Sequence, residues 1–121
     1  MYSPRGQMND WRELKLMTRA LGDVARLTIV YYLARHNDVT VTDLTAMLSI
    51  SQPLVSWHLR KLRRAGLVET RRAGRQVYCS LNLQRFHLCL QWLENLGNPA
   101  MIVEAPLFGP ALIEADAALE D

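Results

Sequence analysis

A basic stretch that begins beside a tryptophan contains the residue types most able to do chemistry. The stretch begins with SQPLVSWHLRKLRRAGLV, residues 51–68, and continues to position 75. Its basic part, positions 60–75, contains seven Lys and Arg residues and a single acidic residue, Glu69. Basic residues at this density are typical of a surface that binds nucleic-acid phosphates. A charged helix face that only contacts solvent has the same composition. The placement of these charges on helices and strands therefore decides whether they bind nucleic acid or only face water.

The charge is divided unevenly along the chain. Residues 1–97 contain all 14 basic residues and seven of the 12 acidic ones, which gives a net charge of +7, whereas residues 98–121 carry −5. We predict an N-terminal arm over 1–8, one domain over 9–97 and an acidic C-terminal tail over 98–121. Three hypotheses remain for the tail: it folds over the basic residues and competes with DNA, it packs on the dimer, or it stays solvated.

The apolar segments predict no membrane association. The longest candidate, residues 100–113, is interrupted by Glu104 and two prolines, and the N-terminus has no apolar secretion segment. We therefore expect a cytosolic protein. In that reducing compartment Cys79 and Cys89 should remain thiols.

Helical spacing and capping residues predict five helices. These are a first helix from Asn9 or Asp10 to Gly22, a second over roughly 24–36 that stops at Asn37, a third within 40–48, a fourth between Ser51 and Gly66, and a last over 83–96. The N-caps of the last four are predicted to be Asp23, Thr40, Ser51 and Asn82.

The third and fourth helices are joined by a short link, which is typical of a helix-turn-helix. Thr40 and Asp43 fit a capping box, and Pro53 falls in the first turn of the fourth helix, where its missing N–H is tolerated. Residues 67–82 read as a β-hairpin with Gly74 at its tip. The predicted fold is mostly α with a small β-hairpin, a winged helix-turn-helix.

The fourth helix has two distinct faces. At about 100° per residue, Val55, Leu59 and Leu62 share one side, and Trp57 lies on the other side with Arg60 and Arg64. The alternative is that Trp57 is buried against another element of the domain. We predict that the outer face enters the DNA major groove, where Gln and Arg bond base edges and Trp packs on a thymine methyl or the sugar wall. With the hairpin arginines as a wing, the predicted DNA contacts are Gln52, Pro53, Ser56, Trp57, Arg60, Arg64, Arg71, Arg72 and Arg75.

The sequence resembles the ArsR family of winged-helix bacterial repressors over about residues 9–97. The resemblance rests on ALGDVARLTIVYYL (20–33) and VTVTDLTAMLSISQPLVSWHLRKLRRAGLVETRRAGRQVYCSL (39–81), with Val24 where the family usually has Pro and Cys79 where it has a second hairpin tyrosine. It implies a homodimer built by the first and last helices, which binds double-stranded DNA at an imperfect palindrome. The apolar residues predicted for that interface are Trp11, Leu14, Phe86, Leu90, Trp92 and Leu93, although some of them also suit the core of one chain.

The metal sites common in that family are not reproduced. Thr40 and Thr42 stand where a Cys-x-Cys pair is usual, and hydroxyls are poor ligands for soft metals. The last helix offers only His87 and Glu94, fewer than the four ligands of a closed zinc site. We predict no metal and no cofactor.

The mechanism that these patterns favour is steric repression. The dimer occupies a promoter, blocks polymerase and is released by an unidentified signal. One alternative is a thiol switch that uses Cys79 and Cys89, and another is a protein-interaction module in which Trp57 anchors the partner. Charge at the centre of residues 60–75 favours phosphate over protein, and no motif supports an enzyme.

Overall fold

The computed structural model describes the backbone of residues 7–100 and the side chains of residues 11–100. Within that part of the chain there are five helices and three strands. They are α1 (Gln7–Leu21), α2 (Val24–Leu33), β1 (Val39–Thr40), α3 (Val41–Leu48), α4 (Gln52–Arg64), β2 (Val68–Ala73), β3 (Gln76–Leu81) and α5 (Leu83–Leu96). None of these helices is long and apolar enough to cross a membrane.

The predicted N-caps of α2, α3, α4 and α5 are confirmed, and each satisfies a backbone amide at the start of its helix. The predicted start of the first helix at Asn9 or Asp10 is wrong, since both residues lie inside α1. Asp23 accepts from the Arg26 amide, Ser51 from the Leu54 amide and Asn82 from the Arg85 amide. The Thr40–Asp43 capping box is also present, with both of its hydrogen bonds formed at 3.0 and 2.9 Å. These local bonds fix where α2, α3, α4 and α5 begin.

Several element boundaries differ from the prediction. Helix α1 begins at Gln7, inside the predicted arm, and α2 ends at Leu33 instead of 36. The left-handed residue that follows α2 is Asp38, with a φ of 55°, and not Asn37. Residues 101–121, the greater part of the predicted acidic tail, lie outside the described residues, so all three hypotheses for the tail stay open.

The sheet contains one strand more than the predicted hairpin. Strands β2 and β3 pair antiparallel from Val68↔Leu81 to Ala73↔Gln76, and Gly74 at the tip has a φ of 64°. Strand β1, only two residues long, pairs with the other edge of β3 through Val39↔Cys79, which gives the order β1-β3-β2. Because β1 leads directly into α3, this pairing ties the hairpin to the helix-turn-helix.

The core lies between the five helices and the base of the hairpin. Its fully buried large side chains are Met17, Ile29, Leu44, Val55, Leu62, Leu67 and Cys89. Helices α3 and α4 contribute one apolar stripe each to this core, so their other faces remain outside.

Arg85 connects α5 to the rest of the domain. Its guanidinium donates to the carboxylate of Glu13 on α1 at 3.3 Å and to the carbonyl of Ala65, just after α4, at 3.3 Å. Gly66 has a φ of 75°, and a Cβ there would lie 2.8 Å from Arg85 Nε. Glycine is therefore required at the end of α4 by both the backbone conformation and the close guanidinium.

Candidate nucleic-acid interface

Helix α4 presents the two faces that the sequence predicts. Val55 and Leu62 are fully buried and Leu59 is 4% exposed, so this stripe holds the helix on the domain. The residues on its other faces are accessible: Ser56 is partly exposed, and the exposed ones are Gln52, Pro53, Trp57, Arg60 and Arg64. The predicted orientation of the helix is confirmed.

Trp57 lies at the surface and not in the core, since 42% of it is exposed. Its cationic neighbours differ from those that the helical wheel suggested. Lys61 Nζ is 4.7 Å from the ring centroid, and the guanidinium carbon of Arg26, on α2, is 5.6 Å from it. The indole is therefore held on the flank of α4 that faces α2, with one side open to solvent.

A cleft of about 290 Å³ separates α4 from the hairpin, and basic side chains surround it. Arg63 Nη1 donates to Thr70 Oγ1 at 3.2 Å and so bridges α4 and β2. The polar and basic residues that line the cleft include Gln52, Ser56, Arg63, Thr70, Arg72 and Arg75. Gln52 and Ser56 thus share one concave surface with two of the predicted wing arginines, whereas Trp57 does not line this cleft.

The third wing arginine faces the other way. Neighbouring residues of a strand alternate between the two faces of a sheet. Arg72 and Thr70 accordingly line the cleft, whereas the guanidinium of Arg71 lies 4.9 Å from the ring centroid of its cross-strand partner Tyr78. The hairpin therefore presents one basic side toward α4 and a second one away from it.

The positive charge of this surface is not neutralised locally. Among the side chains of residues 11–100, the ion pairs join Arg85 to Glu13 and His58 to Asp23. None of the basic residues between positions 60 and 75 takes part in them. Uncompensated guanidinium groups around a concave surface attract polyanions over a distance of about one Debye length, roughly 10 Å at 0.1 M salt.

Sequence reasoning missed three residues of this region. The sequence predicts Arg63 only as part of the basic run, although it forms the bridge to Thr70. Arg26 and His58 are 8% and 6% exposed and bond to each other behind Trp57, with Arg26 Nη1 3.1 Å from His58 Nδ1. On a helical wheel His58 lies about 40° from Leu62, which predicts that it is buried. Its partner Arg26 is 32 residues away in the sequence, so no local pattern predicts the contact between them.

The residues predicted for the dimer interface fall into two groups. Leu14 is 6% exposed and belongs to the core of its own chain, and Trp11, Phe86 and Trp92 pack partly against that core. Leu90 and Leu93, on α5, are 47% and 39% exposed. Leu83 and Leu96, near the two ends of the same helix, are 51% and 49% exposed. Several exposed leucines on one helix are typical of a protein–protein contact.

The side chains of residues 11–100 include no group of three or more His, Cys, Asp or Glu that could hold a metal ion. The hydroxyl of Thr40 is already used in the α3 cap, where it accepts from the Asp43 amide. Thr42 lines the cleft beside α4.

Both cysteines are buried free thiols, at 4% exposure for Cys79 and 1% for Cys89. Burial raises the pKa of Cys79 to about 11, although the Arg63 charge opposes the shift. Burial also raises the pKa of Cys89, and Arg85 opposes it. Since the thiolate is the reactive form, both groups are suited to packing more than to thiol chemistry.

Native-state alkylation tests this. We expect iodoacetamide at pH 7.5 to leave Cys79 unmodified in the folded protein and to modify it fully in urea, because only roughly one thiol in several thousand is ionised at a pKa near 11. Mass spectrometry of the tryptic peptides measures both. Fast native modification accompanied by loss of DNA binding would instead support the thiol switch.

The fold and this surface define a winged helix-turn-helix protein. Residues 23–70 match the family described as bacterial regulatory protein, arsR family. The transcriptional repressor SdpR of Bacillus subtilis is 31% identical over 80 residues, which cover 66% of this chain and 88% of that protein. The chain belongs to the ArsR family.

Two further similarities support the assignment. The arsenic resistance transcriptional regulator ArsR1 of Pseudomonas putida is 35% identical over 65% of this chain, and the alignment spans 62% of that relative's length. The solved structure of an ArsR-like transcriptional regulator from Rhodococcus sp. RHA1 superposes with a TM-score of 0.65 at 27% identity, covering 74% of this chain and 83% of that one. The expected family and fold class are therefore confirmed.

Proposed function

We propose that this protein is a sequence-specific DNA-binding transcriptional regulator that reads the major groove with α4. The observation that carries the proposal is the concave surface on which Gln52 and Ser56 of α4 face the cleft-lining Arg63, Arg72 and Arg75. Amide and hydroxyl groups at the start of a helix discriminate base edges, and the surrounding guanidinium groups bind phosphates. The uncompensated charge disfavours the alternative of a protein-interaction module, whose centre would be depleted of charge.

Each part of the surface has a separate role in this proposal. Gln52, Ser56 and Trp57 contact bases, with Pro53 fixing the first turn of α4 against the groove. Arg60 and Arg64, exposed on α4, bind phosphates on the flanks. The wing arginines Arg71, Arg72 and Arg75 follow the adjacent backbone, with Arg72 and Arg75 on the side next to α4.

Alanine substitution of Gln52 and Ser56 is expected to relax sequence preference. Each variant should lose about 1–3 kcal/mol of discrimination between the operator and mutated operators, because one base-edge contact is removed while the phosphate contacts stay. The operator is first selected from genomic fragments, and fluorescence anisotropy then gives both affinities. Gln84→Ala, an exposed glutamine at the start of α5, is the matched control and should keep full discrimination.

The assignment of α4 depends on one combined variant. If specific operator binding survives substitution of Gln52, Ser56 and Trp57 together, then another element reads the DNA.

We propose that the working unit is a homodimer that binds an imperfect palindrome, with one α4 in each half-site. Support comes from α5, on which Cys89 is buried against the core whereas Leu90 and Leu93 are 47% and 39% exposed. Leu93 lies four residues after Cys89 and therefore on the same face of the helix, so the core of its own chain covers only part of the apolar surface of α5. A two-fold contact with another copy covers the rest from each chain.

The regulatory outcome that we propose is repression in the cytoplasm, in which the bound dimer blocks polymerase at a promoter. The relatives SdpR and ArsR1, named as a repressor and as a resistance regulator, support this direction. In this proposal the releasing signal is not a metal bound at the family's usual Cys-x-Cys pair, since Thr40 and Thr42 stand at those positions. A release through Cys79 and Cys89 is the runner-up.

A further inference from the structure

A buried polar cluster connects the end of α1 to the helix proposed to read DNA. It consists of Asp23 at the cap of α2, Arg26 in the first turn of α2 and His58 on α4. Arg26 and His58 are the two polar side chains buried in the core region of the described residues. A buried guanidinium is costly unless its N–H groups are bonded, so the contacts of Arg26 determine what it does.

Arg26 bonds to three places at once. Its Nε donates to the carbonyl of Ala20 at 2.6 Å, its Nη2 to the carbonyl of Arg19 at 3.5 Å, and its Nη1 to His58 Nδ1 at 3.1 Å. The two carbonyls belong to the last turn of α1, where backbone acceptors are unsatisfied and the helix dipole favours a cation. One side chain therefore caps α1 and fixes a point on α4.

The same guanidinium also contacts the exposed tryptophan. Its carbon is 5.6 Å from the centroid of the Trp57 ring, and the Trp57 and His58 rings meet edge to face at 5.1 Å. The cluster is buried at its His58 end and reaches the surface at Trp57, which is 42% exposed. The position of the indole on the proposed DNA-reading face thus depends on Arg26.

We infer that Arg26 is a positioning residue for operator recognition: through His58 Nδ1 it holds α4 and Trp57 in the geometry that reads DNA. This inference rests on the proposed DNA-binding function. Arg26 is a donor in every protonation state, so His58 Nδ1 must be the acceptor and the ring must be neutral, with its proton on Nε2. Protonation of Nδ1 removes the acceptor and places two cations side by side.

Acidification offers His58 a different partner. Asp23 Oδ2 lies 3.8 Å from His58 Nδ1 and attracts the protonated ring, so the imidazolium moves from Arg26 toward the cap of α2. The charged groups that face the ring are Asp23 and Arg26, and on its own helix Lys61 reaches the adjacent Trp57. Operator recognition should therefore be acid-sensitive, with the exchange of partners as its cause.

The direction of the titration follows from the surroundings of the ring. Burial lowers the pKa of His58 from its ordinary value of 6.5, the Asp23 carboxylate opposes this, and the Arg26 guanidinium adds to it. The neutral form is thus stabilised in the folded protein. The contribution of neutral His58 to the free energy of unfolding is fully present above pH 6.5, and it is lost as the pH falls through the lowered pKa of the folded state.

The test compares operator affinity with affinity for unrelated DNA at pH 7.5 and at pH 5.5. The ratio of the two affinities cancels the general effect of pH on phosphate binding. In the wild-type protein we expect the ratio to fall as the pH is lowered through the pKa of His58, from pH 7.5 through 5.5 to the lowest pH at which circular dichroism shows the native helices. Once the ring is protonated the fall should reach about tenfold or more, which corresponds to loss of a hydrogen bond to a charged group. Arg26→Met should show a reduction of that size already at pH 7.5, with Arg26→Lys between the two.

His58→Asn separates positioning from simple stability, because the asparagine Oδ1 takes the place of Nδ1 as an acceptor and does not titrate. We expect H58N to keep the wild-type ratio at pH 7.5 and to keep it unchanged at pH 5.5. His87→Asn and Arg35→Met alter an exposed histidine and an exposed arginine and serve as controls. They should reproduce the wild-type ratio and its dependence on pH.

The outcomes are distinguishable from failure of the proposed function. If the wild-type protein selects no DNA sequence, the DNA-binding proposal fails. If it selects an operator but the ratio is independent of pH and H58N behaves as wild type at both values, the role of Arg26 and His58 is refuted by itself. This comparison remains available if R26M does not fold, since it needs only the wild type and H58N.

Discussion

Replacing Leu90 and Leu93 together by glutamate is expected to give a folded monomer whose affinity for a two-half-site operator is at least about a thousand-fold lower. Both leucines lie on α5, where they are 47% and 39% exposed in the single chain. Completing the burial of a half-exposed leucine contributes about 1 kcal/mol, and a two-fold interface contains each leucine twice. The four side chains account for about 4 kcal/mol, or three orders of magnitude in the dissociation constant of the dimer.

The glutamates add a further cost, because carboxylates buried at the contact lack partners. The fold itself should survive, since α5 is held on the domain by Cys89 at 1% exposure and by the Arg85 contacts with Glu13 and Ala65. Circular dichroism verifies the helices, and light scattering coupled to size-exclusion chromatography gives the mass. Affinities for a whole operator and for a single half-site then show how much binding depends on the second chain.

Leu27→Glu is the matched control for the interface. Leu27 is 51% exposed and lies on α2, whose outer side also exposes Val24 and Tyr31. L27E should remain a dimer with full operator affinity. A dimer that survives L90E/L93E but is lost in L27E would assign the interface to α2 instead of α5.

The parts of the fold that depend on near neighbours could be predicted from the sequence. The caps at Asp23, Thr40, Ser51 and Asn82 are bonds between residues three apart, and each is present. The orientation of α4 follows from the spacing of its apolar residues, which encodes one buried stripe. Such local patterns need no knowledge of the rest of the chain.

The features that the sequence did not predict are long-range contacts. Strand β1 is only two residues long, and its partner Cys79 is 40 residues away, so no periodicity marks it. The contact between Trp57 and Arg26 also joins residues that are far apart in the sequence, on α4 and α2, so no local pattern predicts it. By contrast, neighbouring residues of a strand point to opposite faces of the sheet, so the sequence alone could predict that Arg71 and Arg72 face opposite ways.

Neutralising the two cleft-facing wing arginines, in Arg72→Gln/Arg75→Gln, is expected to weaken binding to operator and unrelated DNA alike. Both side chains are exposed and line the cleft beside α4, where they have no carboxylate partner among the described residues. A dimer loses four phosphate contacts through this double substitution. The slope of log affinity against log salt should become less steep by about 3 to 4, because each phosphate contact releases about 0.9 of a counterion.

The same relation sets the loss of affinity. At 0.1 M salt, release of about 0.9 of a counterion per contact contributes close to a factor of ten, so four contacts account for about a thousand-fold or more. The ratio between operator and unrelated DNA should stay constant, since phosphates carry no sequence information. This separates the wing arginines from Gln52 and Ser56, whose removal should change the ratio and leave the salt slope as it is.

Two single-charge variants decide whether position or charge alone causes the effect. Arg35→Gln removes an exposed arginine that stacks on Tyr31 beyond the end of α2, and it should leave the salt slope unchanged. Arg71→Gln removes a guanidinium on the hairpin face that turns away from the cleft, and its effect measures how far the phosphate path extends around the wing. A change of the salt slope in R35Q half as large as in R72Q/R75Q, which removes twice the charge, would mean that net charge, and not this cleft, binds DNA. If affinity is lost only in the hairpin variants, the DNA backbone runs along β2 and β3. Only a path beside those strands brings phosphates within reach of Arg72 and Arg75 while α4 occupies the groove.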